Sequence, residues 1–248
     1  MKILITGANG FLGRNLIEKL GEEHEIYAYD VNNAKSDLLK YTADCDFVYN
    51  FAAVHRPKET TEFDKVNHLF FEDLLDMLIK QGNACDVLYT SSIQAINGSE
   101  YGNSKLAAEQ ALRLYSQKTG KRGIIYRLTN TFGKWAMPNH HSVVATFCYN
   151  LTRNMPIYIT NADINMNFYY IDDVVDSFAL QLKNAILPDN DGIFRLPQEK
   201  VYTITLGELA DTLTRIKKSV DKQENFNFKT SIEEKLYLTY MSYYKETK

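Results

Sequence analysis

Tyr101 and Lys105 stand four residues apart in the stretch Tyr101-Gly102-Asn103-Ser104-Lys105. On a helix that spacing sets the phenol and the amine on one face, one turn apart, where both can act on a single bound molecule. A lysine held beside a tyrosine favours phenolate over phenol, so a group with a free pKa of about 10 can exchange protons nearer neutrality. Just upstream, Thr90-Ser91-Ser92 closes an apolar run, and a hydroxyl at the carboxyl end of a strand can hydrogen-bond a substrate carbonyl. Ser92, Tyr101 and Lys105 are therefore the candidate catalytic residues. In a chain with 17 tyrosines the pair alone arises readily by chance, so the surrounding elements decide.

Those elements read as alternating strands and helices. A β-rich run from Lys2 to Thr6 leads into Thr6-Gly7-Ala8-Asn9-Gly10-Phe11-Leu12-Gly13, then into an amphipathic helix carrying Phe11, Leu12, Leu16, Ile17 and Leu20. Strand, glycine turn and helix start make a phosphate site, because glycines admit a close backbone approach and the helix amino terminus attracts the anion. Gly7, Asn9, Gly10, Phe11, Leu12 and Gly13 are the candidate contacts to a dinucleotide. Asp30 ends the second strand, where an acid can accept hydrogen bonds from an adenosine ribose. This favours NAD, since a carboxylate there repels the extra phosphate of NADP, although Arg14 and Lys35 can offset it; Asp30 also suits an ordinary strand-ending turn.

The next strand, over 46–54, is nearly continuous in apolar residues, as a parallel strand covered on both faces should be. It ends in Ala52-Ala53, small enough for a nicotinamide or ribose to lie against the backbone. In the following loop, His55-Arg56-Pro57-Lys58, Arg56 or Lys58 can meet a substrate phosphate or simply remain solvated. Helical periodicity covers 62–81, with Asn67 placed to bond within the core or to the neighbouring helix. Strands over 86–90 and 123–128 flank a helix over 101–118. The predicted fold class is α/β, a Rossmann-type doubly wound parallel sheet with a small carboxyl-terminal substrate-binding lobe. Residues 1–150 are predicted to be mainly the NAD(P)-binding domain and 151–248 mainly the substrate lobe, interleaved with it.

Beyond residue 128 the pattern loosens. Asn130, Gly133, Lys134 and Trp135 form a polar and aromatic loop, and a helix over 142–153 has a start able to hold a pyrophosphate. His140 and His141 precede it, but adjacent histidines are poorly spaced for a metal, so none is expected. Short strands are predicted over 156–160, 167–170, 192–196 and 201–205, with helices from Asp172 and Leu206, the second opened by a Thr205/Glu208 capping box. The last stretch, with Phe226, Phe228, Leu236, Tyr237, Tyr240, Tyr243 and Tyr244, needs a surface to pack on, supplied by the lobe or by a further segment.

The 248 residues carry a net charge of −3 with scattered basic groups, which gives no footprint for nucleic acid or an anionic membrane. Cys45, Cys85 and Cys148 are too few and too scattered for a disulfide framework, which points to a reducing compartment and the cytoplasm. The amino terminus lacks a signal-peptide core, and no run approaches the roughly 18 apolar residues of a membrane span.

Taken together, the chain resembles the extended short-chain dehydrogenase/reductase superfamily over essentially its whole length. The resemblance rests on Thr6-Gly7-x-x-Gly10-Phe11-x-Gly13, Thr90-Ser91-Ser92, Tyr101-x-x-x-Lys105, Arg127-x-x-Asn130-x-x-Gly133 and Tyr170-Ile171-Asp172-Asp173. Ser91-Ser92-Ile93-Gln94-Ala95, Phe132-Gly133-Lys134-Trp135 and the segment from Ser142 to Tyr149 look like one branch of it. That branch is the capsular-polysaccharide reductases acting on UDP-4-keto-6-deoxy-N-acetylhexosamines, on the route to UDP-N-acetyl-L-fucosamine. The resemblance implies hydride transfer to C4 of such a sugar, with Tyr101 as general acid, Ser92 on the carbonyl oxygen, and Lys105 binding the nicotinamide ribose and holding the phenol pKa down. It implies a substrate pocket built around Asn130, Lys134 and Trp135, to which the loop residue Arg56 is added as a candidate contact; the apolar excess of the 62–81 helix suits a homodimer or simple packing on the sheet.

Members of the branch commonly use NADPH, against the NAD suggested by Asp30, and both cofactors are carried forward. Many also carry a carboxyl-terminal metal-binding cupin domain that epimerises C3; this chain stops at Lys248, about where one would begin, which reads as either a truncated chain or a stand-alone reductase, with no epimerase activity expected of it. A second departure is Met166-Asn167-Phe168, where many relatives have Arg-Asp-Phe, which leaves the uridine contact open. Two other readings share these residues. A nucleotide-sugar 4-epimerase with tightly held NAD needs little beyond the tyrosine, whereas a 4,6-dehydratase needs an added acid and base that Ile93-Gln94-Ala95 does not supply. A cofactor-sensing protein without catalysis would be expected to lack the tyrosine or lysine.

Overall fold

A computed structural model describes residues 1–140 and 142–246; His141, one of the two adjacent histidines, lies outside them. The chain divides into two compact units, Met1–Leu128 with Val175–Arg195, and Thr129–Val174 with Leu196–Lys248.

In the first unit, strands β1 (Lys2–Thr6), β2 (Glu25–Tyr29), β3 (Phe47–Asn50), β4 (Asp86–Ser92) and β5 (Gly123–Leu128) form one parallel sheet in the order β2-β1-β3-β4-β5. Helices α1 (Phe11–Leu20), α2 (Lys35–Thr42), α3 (Thr61–Asp64), α4 (Phe70–Lys80) and α5 (Glu100–Thr119) make the crossovers. This is the α/β doubly wound sheet predicted from the alternation. The period of two in each strand explains both covered faces. Leu4, Val48, Val87, Tyr89 and Ile125 pack with Phe71, Leu74 and Leu78 of α4 and Ala108 and Leu112 of α5. The alternate residues Tyr49 and Tyr126 meet Phe178 across the other face, at ring separations of 6.5 and 4.9 Å.

The predicted helix over 62–81 is interrupted by a π-turn, Lys65–Leu69, between α3 and α4. Such turns widen the backbone by one residue and are frequent at functional sites. Here the turn carries Asn67, which is fully buried.

In the second unit, β6 (Asn130–Phe132) runs parallel to β7 (Asn165–Tyr170), and β8 (Tyr202–Thr205) runs antiparallel to β7. Helices α6 (Val143–Thr152), α8 (Leu206–Asp221) and α9 (Ser231–Lys245) belong to this unit, while α7 (Ile171–Gln181) begins in it and ends in the first. Thr205 and Glu208 form the predicted reciprocal cap on α8. The aromatic carboxyl-terminal stretch finds its surface within this lobe: Leu236, Tyr240 and Tyr243 are buried, and the Tyr243 hydroxyl donates to the Ala136 carbonyl. No strand forms over 156–160, where the Pro156 carbonyl is instead taken by Asn150 Nδ2 at 3.0 Å. The expected strand over 192–196 reduces to a single bridge, Phe194 to Tyr126. Among the described residues no helix is long and apolar enough to cross a membrane.

Candidate active site

All five strands of the large sheet run the same way, so their carboxyl ends share one edge. β1 has β2 on one side and β3 on the other, and ligands of open α/β sheets bind where the strand order reverses in this way. That switch point is bridged by a 2.6 Å hydrogen bond from Thr6 Oγ1 to Asn50 Oδ1. The glycine turn lies directly beyond it. Gly7 has φ +65°, and a Cβ there would stand 2.8 Å from the Ala52 nitrogen. A Cβ on Gly13 would lie 2.3 Å from the Gly7 carbonyl oxygen, so this glycine lets α1 close on the turn.

Gly10 differs from both. A Cβ there would approach only the Gly7 oxygen, at 3.1 Å, and Gly10 opens α1 without any side-chain cap. The first turn of α1 thus begins at an exposed glycine with no side-chain cap of its own, as a bound pyrophosphate requires. Asn50 adds a buried Nδ2 donor with no acceptor at the same edge. An orphaned donor at the switch point beside an uncapped glycine turn fits a dinucleotide. Phe11 and Leu12 lie half-buried in the first turn of α1, and Ala52 and Ala53 are half-buried just past β3.

Asp30 is held from both sides. Its Oδ2 accepts from the Asn9 amide and its Oδ1 from the Val31 amide, each at 2.8 Å. The carboxylate therefore links the end of β2 to the glycine turn and sets a fixed negative charge there.

β4 outruns β3: Asn50 pairs with Tyr89, so Thr90, Ser91 and Ser92 project past it. Ser92 Oγ accepts from the Gln94 amide at 3.1 Å and opens the short 3-10 turn Ile93–Ile96. Ser99 then caps α5 by accepting from the Gly102 amide at 3.0 Å. A Cβ on Gly102 would lie 2.2 Å from the Gln94 carbonyl oxygen, so a glycine beside Tyr101 lets α5 start hard against the 3-10 turn. This closeness sets the Tyr101 phenol near the end of β4, where the Ser92 side chain acts on it.

Lys105 follows one turn later and is 2% exposed. Its Nζ donates to the Thr90 carbonyl at 2.9 Å and lies 4.9 Å from the Tyr89 ring centre and 5.9 Å from that of Tyr101. Burial lowers the Lys105 amine to about 7, with Glu109 opposing the shift. Burial raises the Tyr101 phenol to about 12, and the Ser92 side chain opposes that rise. Here the structure departs from the sequence reading, in which Lys105 pulls the phenol down. An amine that burial itself discourages from carrying charge is a weak electrostatic lever, and the phenol stays protonated at neutral pH.

The three candidate catalytic side chains thus converge in the first unit. Asn67 anchors their surroundings: Oδ1 accepts from the Val54 amide at 2.8 Å, and Nδ2 donates to Ser104 Oγ at 3.1 Å. Ser104 in turn donates to the Tyr101 carbonyl at 2.8 Å. Two features escaped the sequence reading. His55, in the loop after β3, lies with its ring 5.2 Å from that of Tyr101. Glu109, 1% exposed, receives Arg127 Nε and Nη2 at 2.8 and 2.7 Å and Ser91 Oγ at 2.6 Å. Glu109 had a signal, since it continues the Tyr101 and Lys105 spacing by another four residues. Arg56 and Lys58 are exposed.

In the second unit, Asn130 Nδ2 donates to the Asn167 carbonyl at 3.4 Å, and Asn167 Oδ1 accepts from Thr203 at 2.7 Å. Lys134 Nζ stands 4.7 Å from the Trp135 ring centre, and Trp135 adopts φ 67°. The α6 start, read from sequence as able to hold a pyrophosphate, is capped by its own Ser142, whose Oγ accepts from the Ala145 amide at 3.3 Å.

A parallel sheet with a glycine turn at its switch point and a Ser, Tyr and Lys at its carboxyl edge defines a dinucleotide-binding protein of the short-chain dehydrogenase type. The chain belongs to the NAD dependent epimerase/dehydratase family, whose model matches residues 3–194. It is 38% identical over 252 residues to the UDP-2-acetamido-2,6-beta-L-arabino-hexul-4-ose reductase of Pseudomonas aeruginosa, covering 99% of this chain and 66% of that one. Its structure is similar to that of the capsular polysaccharide assembling protein CapF from Staphylococcus aureus, with a TM-score of 0.89 and 35% identity over 100% of this chain and 67% of that one. The fold is also that of the UDP-glucose 4-epimerase of Thermotoga maritima, at TM-score 0.82 and 21% identity over the full length of both. The chain thus spans about two thirds of the length of the first two relatives.

Proposed function

We propose that the protein reduces the C4 ketone of a UDP-4-keto-6-deoxy-N-acetylhexosamine during synthesis of a capsular or O-antigen polysaccharide precursor. The observation that carries this reading is buried Lys105, whose Nζ donates to the Thr90 carbonyl two residues before Ser92 and lies 5.9 Å from the Tyr101 ring centre. The named reductase from Pseudomonas aeruginosa supports the substrate class. When bound, the reduced nicotinamide cofactor supplies the hydride. Tyr101 gives its proton to the C4 oxygen as charge develops there, and a phenol pKa near 12 keeps that proton available across the neutral range. Ser92 donates to the same oxygen, and Lys105 holds the cofactor ribose. Gly7, Asn9, Gly10, Phe11, Leu12, Gly13, Ala52 and Ala53 hold the dinucleotide.

The fixed carboxylate of Asp30 supports NADH over NADPH. Arg56, Asn130, Lys134 and Trp135 are assigned to the nucleotide sugar, which makes the first unit the cofactor domain and the second the substrate lobe. Three buried free thiols suit the cytoplasm, and the exposed Leu69, Ile79 and Leu114 on and beside the outer helices suit a homodimer. The test is to mix the protein with reduced cofactor and the UDP-4-keto sugar and follow cofactor oxidation against product. Turnover without net cofactor oxidation would instead mark an epimerase.

A further inference from the structure

We infer that Glu109 is a positioning residue for this reaction: a buried counter-charge one helical turn beyond Lys105, clamped by Arg127 and Ser91, that favours the ammonium form of Lys105 against its burial. The inference rests on the reductase reading, because an ammonium at Lys105 matters only where it serves cofactor and phenol.

Tyr101, Lys105 and Glu109 follow one another at spacings of four along α5, so they share one helix face. Lys105 and Glu109 are both buried, at 2% and 1% exposure. A buried ammonium is tolerated only with opposite charge and hydrogen-bond acceptors close by. Around Lys105 the acceptor is the Thr90 carbonyl, and the Tyr89 and Tyr101 rings offer π-faces. Glu109 is the acid that acts on it. It cannot swing away, because Arg127 holds both of its oxygens and Ser91 one of them.

The other titratable groups around this face do not replace it. From β4 comes Tyr89, buried, with its phenol held in the neutral form by burial. From β5 comes Arg127, committed to Glu109. The loop after β3 brings His55 against the Tyr101 ring. The π-turn sends in neutral Asn67, while its Lys65 is exposed and its His68 pairs with Asp64. The acids of α4, Glu72, Asp73 and Asp76, are exposed, and the 3-10 turn Ile93–Ile96 has no titratable side chain. The same Ser91 that clamps Glu109 precedes Ser92, so one carboxylate couples the lysine's charge to the strand end that carries the candidate hydroxyl.

The direct test is the titration of Lys105 in the intact protein, read by NMR of lysine side chains labelled with ¹³C and assigned from the signal lost in Lys105→Met. In wild type the midpoint is expected at about 7. Glu109→Gln should lower it by about 1–2 units. The falling limb of the pH profile of cofactor oxidation should move to lower pH with it. Should Glu109→Gln fail to fold, Glu109→Asp serves instead: it keeps a charge for Arg127 but draws it back by one methylene, and the midpoint should fall by a smaller amount. A midpoint that stays in place or rises in the folded variant overturns the inference, since a purely structural carboxylate would alter stability and leave the titration where it was. The NMR readout needs no turnover. A shifted midpoint in a protein that oxidises no cofactor would uphold the role of Glu109 and sink the reductase reading separately.

Discussion

Lys105 Nζ donates a 2.9 Å hydrogen bond to the backbone carbonyl of Thr90. This bond ties the middle of α5 to the projecting end of β4, two residues before Ser92 and one turn after Tyr101. The helix that carries the phenol and the strand that carries the hydroxyl are thereby fixed to each other before any substrate arrives, which is the condition for electrostatic help at a developing oxyanion.

Tyr101→Phe keeps the ring and its packing against Phe63 and His55 but removes the proton. Turnover is expected to fall by about 100- to 10,000-fold. Cofactor affinity, measured by fluorescence titration, should stay within about twofold, because the lost hydroxyl is assigned to the substrate oxygen.

Lys105 also costs stability. Its amine is lowered to about 7 in the folded chain, against about 10.4 in an unfolded one. At pH 7 and below, holding the charged form in the fold is unfavourable. Between about pH 7 and pH 10.4 the unfolded chain binds a proton that the folded chain does not, so wild-type stability rises with pH. Lys105→Met removes the group. It is expected to stabilise the fold by about 2 kcal/mol at neutral pH, after allowing for the lost bond to Thr90. The advantage should shrink as pH climbs toward 10, as urea unfolding at a series of pH values would show, while turnover is lost.

Two alanine substitutions in one turn should behave oppositely. Gly13→Ala would place a Cβ 2.3 Å from a backbone oxygen, and a loss of about 3 kcal/mol in unfolding free energy is expected. At Gly10 the nearest atom to a Cβ is 3.1 Å away. Gly10→Ala should therefore fold within about 1 kcal/mol of wild type, yet weaken dinucleotide binding at least about tenfold by obstructing the approach to the α1 amino terminus.

Asp30 is the residue to which the choice of cofactor is assigned. With both carboxylate oxygens fixed by the Asn9 and Val31 amides, the charge cannot turn away from a 2′-phosphate. NADH is expected to give kcat/KM at least about tenfold above NADPH, and Asp30→Asn, which keeps an acceptor for Asn9, should narrow that ratio by about tenfold. A wild-type preference for NADPH would contradict the assignment.

The doubly wound sheet was legible because buried parallel strands are apolar throughout and the glycine turn falls between the first strand and its helix. The places of Ser92 at the end of β4 and of Tyr101 and Lys105 in the first two turns of α5 were legible for the same local reason, since sequence pattern can place both elements. Other features depend on three-dimensional partners. Nothing in the spacing of 62–81 announces a π-turn, which forms where Asn67 reaches Val54 and Ser104 together. The pairing of Glu109 with Arg127 joins residues from a helix and the next strand, and neither residue alone implies burial. The amine at Lys105 was read as a lever on the phenol because sequence shows proximity but not desolvation, and desolvation proved the larger influence on both groups. The strand expected over 156–160 lacked only a partner, which local propensity cannot supply.

Cofactor oxidation measured against sugar converted is the most direct check on the central claim. With NADH and a UDP-4-keto-6-deoxy-N-acetylhexosamine, the account expects one cofactor oxidised for each 4-hydroxy sugar formed, at a rate at least about 100-fold lower in Tyr101→Phe. Conversion of sugar with no net loss of reduced cofactor, or full activity in Tyr101→Phe, would contradict it.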